Sequence, residues 1–175
     1  TIADDIKTSA VYSILFSLIL IFLYILIRFK KWQYSLGAVV AVFHDVIILL
    51  SIFSIFYGMM PFSLEIDQAF IAAILTVIGY SLNDTVVVFD RIREYLAIKP
   101  GNRMDVINSA LNSTLSRTIN TSLTTFFVLL VIFIFGGEMV RGFMFAIMTG
   151  VIVGTYSSLF IASPIMYDTT KHETN

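Results

Sequence analysis

Five long apolar runs constrain the fold of this sequence more than any other feature. They cover approximately residues 10–27, 34–56, 68–89, 117–135 and 141–165. A helix needs about 20 mostly apolar residues to cross a bilayer, and these runs are continuous rather than alternating as in a membrane β-barrel. Hydrophobic residues make up 58% and charged residues 13% of the chain, which excludes an ordinary soluble domain. We therefore predict an all-α membrane protein, a bundle of five transmembrane helices.

The Lys and Arg residues between the runs predict the orientation of this bundle. Nine of the eleven lie on one side of the predicted membrane, and only Lys7 and Arg141 lie on the other. Because basic loops stay in the cytoplasm, we expect the N-terminus outside and the C-terminus in the cytoplasm. The expected parts are an extracytoplasmic segment at 1–9, a transmembrane domain at 10–167 and a cytoplasmic tail at 168–175.

The long connection between the third and fourth runs, 90–116, is predicted to be cytoplasmic and helical. Its first part, 90–98, has the pattern of a helix leaving the membrane. Apolar residues in 104–111 have amphipathic spacing, which predicts a short helix on the membrane surface. At the other end of the chain, Ser163 and Pro164 are expected to terminate the fifth helix.

Polar side chains interrupt three of the apolar runs. Those in the third and fourth runs recur at helical spacing, so that each set shares one helix face. The second run contributes His44 and Asp45, the third Thr76, Tyr80, Asn83 and Asp84, and the fourth Arg117, Asn120, Thr121, Thr124 and Thr125.

Asp84 is the strongest functional candidate among these residues. An ionised side chain at the bilayer centre costs about 2.5–3.5 kcal/mol on insertion scales and usually serves a function. We interpret Asp84 as a proton site and Arg117 as a charged neighbour at similar depth. The alternatives are a structural ion pair or hydrogen-bonded strut and an Arg117 side chain that snorkels to the interface. Candidate supporting residues are Asp45, His44, Asn83, Tyr80, Asn120 and Thr121, which can also act simply as packing contacts.

Small residues recur at every fourth position of the fifth run. Such spacing lets helix backbones approach closely within a membrane, so we expect this helix to cross close partners inside the bundle. The stripe consists of Gly142, Ala146, Gly150, Gly154, Ser158 and Ala162.

Signatures of enzymes and of metal or cofactor sites are absent from the sequence. There is no cysteine, the two histidines are His44 and His172, and no HExxH, P-loop or GxSxG motif occurs. The net charge of −1 does not indicate nucleic-acid binding. We expect neither enzymatic activity nor a cofactor, with metal ligation by Asp45, His44 and Asp84 as an unfavoured alternative.

Four segments in the same order resemble the SecD/SecF family of protein-export membrane proteins, on its SecF side. One is the run IGYSLNDTVVVFDRIRE at 78–94, and the others are HDV at 44–46, SRTINTS at 116–122, and FGG at 135–137 with GF at 142–143. The similarity extends from about residue 8 to residue 164. Each piece is weak alone, but their ordered combination is specific.

The resemblance implies a function that spacing alone does not. The family belongs to the RND superfamily of proton-driven transporters in the bacterial cytoplasmic (inner) membrane, with protons as coupling ion. Its SecF half has six spans and a periplasmic domain after the first; this chain would supply spans two to six, which fits a start at Thr1. Asp84 would be the proton-relay carboxylate and Arg117 its neighbour. Implied partners are SecD (separate or fused), SecYEG, SecA and other Sec auxiliaries, exported preproteins and membrane lipid.

Two other classes of function remain open at this point. One is an RND-like exporter of small molecules or lipids, against which the Asn83-Asp84 context argues. The other is an assembly module without transport activity, in which the intramembrane charges only set the helix register.

Overall fold

The computed structural model describes residues 2–171, and every element in this range is helical. The elements are α1 (Ile2–Phe29), α2 (Trp32–Phe56), α3 (Gln68–Ile98), α4 (Arg103–Phe135), α5 (Glu138–Ser157), a π-helical segment (Ser158–Ala162) and α6 (Ser163–Lys171). The last three are continuous, so the described chain has five helices long and apolar enough to cross a membrane. This confirms the predicted five-helix, all-α fold. His172 and the end of the predicted tail lie outside the described residues.

Short connections and polar caps determine where the long helices begin. The Asp67 side chain accepts a 2.8 Å hydrogen bond from the backbone N–H of Phe70 and so caps α3. Asn102 caps α4 in the same way by accepting from the N–H of Met104 at 3.0 Å. Only residues 99–102 separate α3 from α4, and Gly101 there has a φ of 134°, which favours glycine.

The α4 helix corrects one expectation about the connection between the third and fourth runs. Residues 104–111 do not form a separate surface helix but are the first turns of α4, which is continuous from Arg103 to Phe135. Val106, Ile107 and Ala110 are buried, so the apolar face of this segment packs against the bundle. The amphipathic pattern was correct, but its apolar face covers protein rather than the membrane surface.

The second correction concerns the end of the fifth span. Ser163 and Pro164 do not terminate the helix, which passes through the π-helical segment into α6. A proline ring clashes with the carbonyl four residues earlier in a regular α-helix, here that of Phe160. The wider π-helical turn accommodates this ring. The Ser163 hydroxyl also donates a 3.2 Å hydrogen bond to the Ser158 carbonyl five residues earlier.

The core of the bundle lies between α2, α3 and α5, with α1 and α4 at its edges. In the most apolar stretches of α1 and α4 only 11% of residues are buried, against 50% in the span formed by α5 and its continuation. The outward faces of α1 and α4 carry large apolar side chains. This arrangement places the polar residues of α2 and α5 deep in the bundle.

Candidate functional site

Glycines of α5 bring its backbone against α3. A Cβ atom added at Gly150 would overlap the side chain of Val77, and one at Gly154 would lie 2.9 Å from the Cβ of Ser81. Ala146, one turn before Gly150, is fully buried. The absence of side chains at these two glycines therefore allows polar groups of α3 and α5 to meet inside the bundle.

Asp45 of α2 is the centre of a buried hydrogen-bonded cluster. Its side chain accepts from the Ser81 hydroxyl at 2.6 Å and from the Ser157 hydroxyl at 2.8 Å, both through Oδ2. Its Oδ1 lies 3.2 Å from Nδ1 of His44. Asp45 is only 1% exposed, so one carboxyl group joins α2, α3 and α5 where little water can compete.

A second set of hydroxyl groups extends this cluster to the π-helical segment. The hydroxyls of Thr85 and Ser158 are 2.9 Å apart, and Ser158 also lies 3.2 Å from the carbonyl oxygen of Ser81. Both side chains are fully buried. The position where the helix departs from α geometry is thus bound directly to α3, one turn from the Asp45 contact.

A separate polar contact joins α4 to the same two helices. The hydroxyls of Ser122 and Thr155 are 2.5 Å apart, and the Tyr80 hydroxyl lies 3.5 Å from Ser122. Of the polar stripe predicted on α3, Tyr80 is the residue that reaches a hydroxyl of α4. This contact couples the positions of α3, α4 and α5.

Asp84 lies one turn after Ser81 on α3 and is 4% exposed. Its Oδ2 is buried and has no hydrogen-bond partner within the described chain. A buried carboxylate oxygen without a partner is energetically costly. Asp84 is therefore a buried group whose charged form the surrounding side chains do not satisfy.

Arg117 is near Asp84 without binding it directly. Both residues are described, and no hydrogen bond or ion pair joins them, although the Arg117 charge acts electrostatically on Asp84. Arg117 is exposed and lines a polar cavity with a volume of about 470 Å³. The structure thus places the two predicted relay residues in electrostatic range, with Asp84 inside the bundle and Arg117 at its surface.

The two polar stripes predicted on α3 and α4 do not face one another. Asn120, Thr121 and Thr124 are exposed on α4, and Asn83 is exposed on α3. The hydroxyls of Thr121 and Thr124 donate to backbone carbonyls of α4 itself. The buried polar residues of α4 are instead Thr114, Thr118 and Ser122.

Sequence reasoning missed the hydroxyl residues that hold Asp45. Ser81 and Ser157 were not singled out, nor was Thr85, which pairs with Ser158, although Ser81 lies one turn before Asp84 and Thr85 lies directly after it. Ser157 directly precedes Ser158 of the small-residue stripe, which was the available signal. Within residues 2–171 no group of three or more His, Asp or Glu side chains is arranged to hold a metal ion.

Five helices long and apolar enough to cross a membrane, with one hydrogen-bonded buried carboxyl group and a second whose Oδ2 has no partner in the described chain, define a polytopic α-helical membrane protein. Comparison with known sequences identifies the family. Residues 1–172 match the family described as "Protein export membrane protein SecD/SecF, C-terminal", and the chain belongs to this family.

Individual relatives agree with this assignment. The chain is 60% identical over 167 residues to the protein translocase subunit SecF of Rhodothermus marinus, covering 95% of this chain and 54% of that protein. It is 45% identical to SecF of Vibrio alginolyticus over 165 residues, covering 94% of this chain and 50% of that protein. The chain thus spans about half the length of these relatives.

A solved structure has the same fold. The crystal structure of SecDF in the super-membrane-facing form superimposes with a TM-score of 0.75 at 39% sequence identity. The match covers 90% of this chain and 21% of the SecDF chain. The resemblance seen in the sequence motifs is confirmed, and with it the family.

Proposed function

We propose that this chain is the membrane part of a SecF subunit of the Sec protein-export machinery. In this proposal it uses the proton motive force, with SecD and SecYEG, to promote translocation of proteins across the bacterial cytoplasmic membrane and their release. The naming of its relatives as protein translocase subunits supports the export role. The buried Oδ2 of Asp84, which has no partner in the described chain, is the observation that supports proton coupling.

The proposed mechanism begins with proton binding at Asp84. Protonation removes the negative charge, and the electrostatic attraction between Asp84 and Arg117 is lost with it. The helices α3 and α4 then repack relative to one another. Because Ser81 lies one turn away on α3 and binds Asp45, such a movement of α3 also changes the contacts of α2 and α5.

The membrane potential supplies enough free energy for this step. One elementary charge that crosses 100 mV releases about 2.3 kcal/mol. Since about 1.4 kcal/mol changes an equilibrium constant tenfold, one proton can shift a two-state equilibrium of the helices by more than tenfold. Tight coupling between protonation and helix packing is required for this effect.

The exposed polar stripe of α4 supports the proposal that SecD is the partner. Asn120, Thr121 and Thr124 lie within a membrane-spanning helix but face outward. Asn and Thr side chains within a membrane form hydrogen bonds with neighbouring helices. We therefore assign this face, together with the exposed Asn83 on α3, to the contact with SecD.

The test compares wild type with Asp84→Asn in inverted membrane vesicles that contain the full-length protein and the Sec machinery. We expect Asp84→Asn to abolish the stimulation of precursor translocation by the proton motive force, with normal protein level and insertion. Asp105→Asn is the matched control, because Asp105 is an exposed carboxylate in the first turn of α4. It should retain the stimulation.

The same vesicles distinguish proton coupling from a purely structural role. Full stimulation in Asp84→Asn, combined with misfolding of Asp84→Leu, would make Asp84 an assembly residue and overturn the proposed proton coupling. Loss of stimulation in Asp84→Asn with intact folding would support it.

A further inference from the structure

A polar cavity lies at one end of the bundle, where α1, α3 and α4 meet. Its volume is about 470 Å³, and Arg28, Arg91, Arg93 and Arg117 contribute to its wall. Arg28 lies in the last turn of α1, at the end of an apolar helix. The cavity is therefore at the level where a membrane-spanning helix leaves the hydrocarbon and reaches the lipid headgroups.

The cavity carries more positive than negative charge. Its carboxylates are Asp90 and Glu94. Asp90 is shared by two arginines, Arg28 at 2.9 Å and Arg93 at 3.0 Å, and Glu94 pairs with Arg91 at 2.9 Å. The fourth guanidinium, that of Arg117, forms no ion pair with a carboxylate in the described chain. The wall thus has two more guanidinium groups than carboxylates.

Arginine is well suited to one class of ligand. Its planar guanidinium donates paired hydrogen bonds that match the oxygens of a phosphate group. The hydroxyl groups of Ser113 and Thr114 also line the cavity. A phosphate that entered it would meet positive charge from three helices, and the guanidinium groups would be its donors, because the Ser113 and Thr114 hydroxyls donate to carbonyls of α4 itself.

An apolar row on α1 begins next to the cavity. Tyr24, Leu20 and Phe16 precede Arg28 by four, eight and twelve residues and form a continuous row that winds around the helix by about 40° per step. All three are at least half exposed, at 50%, 50% and 62%. A lipid acyl chain could lie along this row while its headgroup occupies the cavity.

We propose that this cavity binds an anionic phosphate group, supplied by the headgroup of an anionic phospholipid whose acyl chain lies along α1. Basic pockets between transmembrane helices at the cytoplasmic surface are known to bind such headgroups. The site shares only Arg117 with the proposed proton relay; its other three arginines, Arg28, Arg91 and Arg93, take no part in that mechanism.

The test measures lipid retention by native mass spectrometry. The full-length protein is released from nanodiscs that contain equal amounts of phosphatidylglycerol and phosphatidylcholine. Wild type should retain phosphatidylglycerol in preference to phosphatidylcholine. Ser113→Asp places a carboxylate in the cavity that competes with the phosphate for one guanidinium, and it should lower this retention about tenfold, as expected for the loss of one charge-assisted contact.

Ser109→Asp is the matched control. Ser109 is exposed one turn earlier on α4, outside the cavity, and like Ser113 it donates its hydroxyl to a backbone carbonyl of its own helix. It should retain the lipid as wild type does. Two double variants give a second comparison. Arg28→Gln/Arg91→Gln removes two positive charges inside the cavity, and Lys30→Gln/Lys31→Gln removes two positive charges outside it.

The outcomes separate the sources of phosphate and can overturn the site. Loss of phosphatidylglycerol in Ser113→Asp but not in Ser109→Asp supports a lipid headgroup. If inorganic phosphate raises the unfolding temperature of wild type but not of Ser113→Asp in phosphatidylcholine nanodiscs, and no lipid preference appears, the phosphate is a free anion. Equal retention of both lipids without a phosphate effect, or equal loss in both serine variants, overturns the proposal.

Discussion

The Ser81 hydroxyl donates a 2.6 Å hydrogen bond to Oδ2 of Asp45 and so joins the middle of α3 to the middle of α2. Ser157 of α5 donates to the same oxygen. One carboxyl group therefore connects α2, α3 and α5. This connection lies on the side of α3 that packs against Gly150 and Gly154 of α5. Asp84 lies one turn further along α3, so the position of the proposed proton site depends on this connection.

The Asp45–Ser81 hydrogen bond should contribute measurably to stability. Hydrogen bonds between membrane helices are worth about 0.6 kcal/mol on average and up to about 1.7 kcal/mol. We expect a double-mutant cycle with Asp45→Ala and Ser81→Ala to give a coupling energy near the upper value, because both groups are buried. Reversible unfolding in mixed micelles with increasing dodecyl sulfate measures it.

Ser51→Ala provides the control for this cycle. Ser51 is exposed on α2 and donates only to the Ile47 carbonyl of its own helix. Its substitution should be additive with Asp45→Ala. A coupling energy for Ser81 no larger than that for Ser51 would show that the hydrogen bond does not stabilise the bundle.

Gly150→Ala should destabilise the contact between α3 and α5. The new methyl group would overlap Val77, and such overpacking typically costs about 1–3 kcal/mol. Val77→Ala in the same chain should restore part of the lost stability by making room. Gly79→Ala serves as the control, since a Cβ there meets no atom within 4 Å; an equal loss at Gly79 would argue against a specific contact. Unfolding in mixed micelles measures the stability of Gly150→Ala, of Gly150→Ala/Val77→Ala and of Gly79→Ala.

Single cysteines can test the predicted orientation, because the chain contains none of its own. Glu65→Cys lies in the connection expected outside, and Lys31→Cys lies in the connection expected in the cytoplasm. A thiol reagent that does not cross membranes should label Glu65→Cys in intact spheroplasts and Lys31→Cys only after permeabilisation. The reverse pattern would mean that the bundle has the opposite orientation.

The proposed contact with SecD predicts the result of a crosslinking experiment. Thr124→Cys on the exposed polar stripe of α4 should crosslink to SecD through a short thiol-reactive linker. Phe16→Cys is the control, since Phe16 is exposed on the apolar face of α1, which we assign to lipid. Crosslinks from Phe16→Cys but not from Thr124→Cys would place SecD on the other side of the bundle.

The sequence predicted which residues share a helix face but not which face is buried. Asn83, Asn120 and Thr121 have the correct helical spacing, yet they lie on the outside, whereas Ser81 and Ser122 face inward. A helix face that packs against a neighbouring helix of the same chain and one that packs against a separate partner show the same spacing of polar residues. The rotation of each helix is decided by side-chain packing, which the spacing does not contain.

The amino-acid sequence by itself determined the number of spans, the class of fold and the family. Those properties depend on the cost of burying polar backbone and charge in lipid, which acts along one helix at a time. Only the tertiary structure decided that Asp45, rather than Asp84, is the hydrogen-bonded centre of the bundle and that Arg117 lines a surface cavity. These arrangements depend on the close approach of α5 to α3 at Gly150 and Gly154. The distances between helices result from the packing of all five helices together.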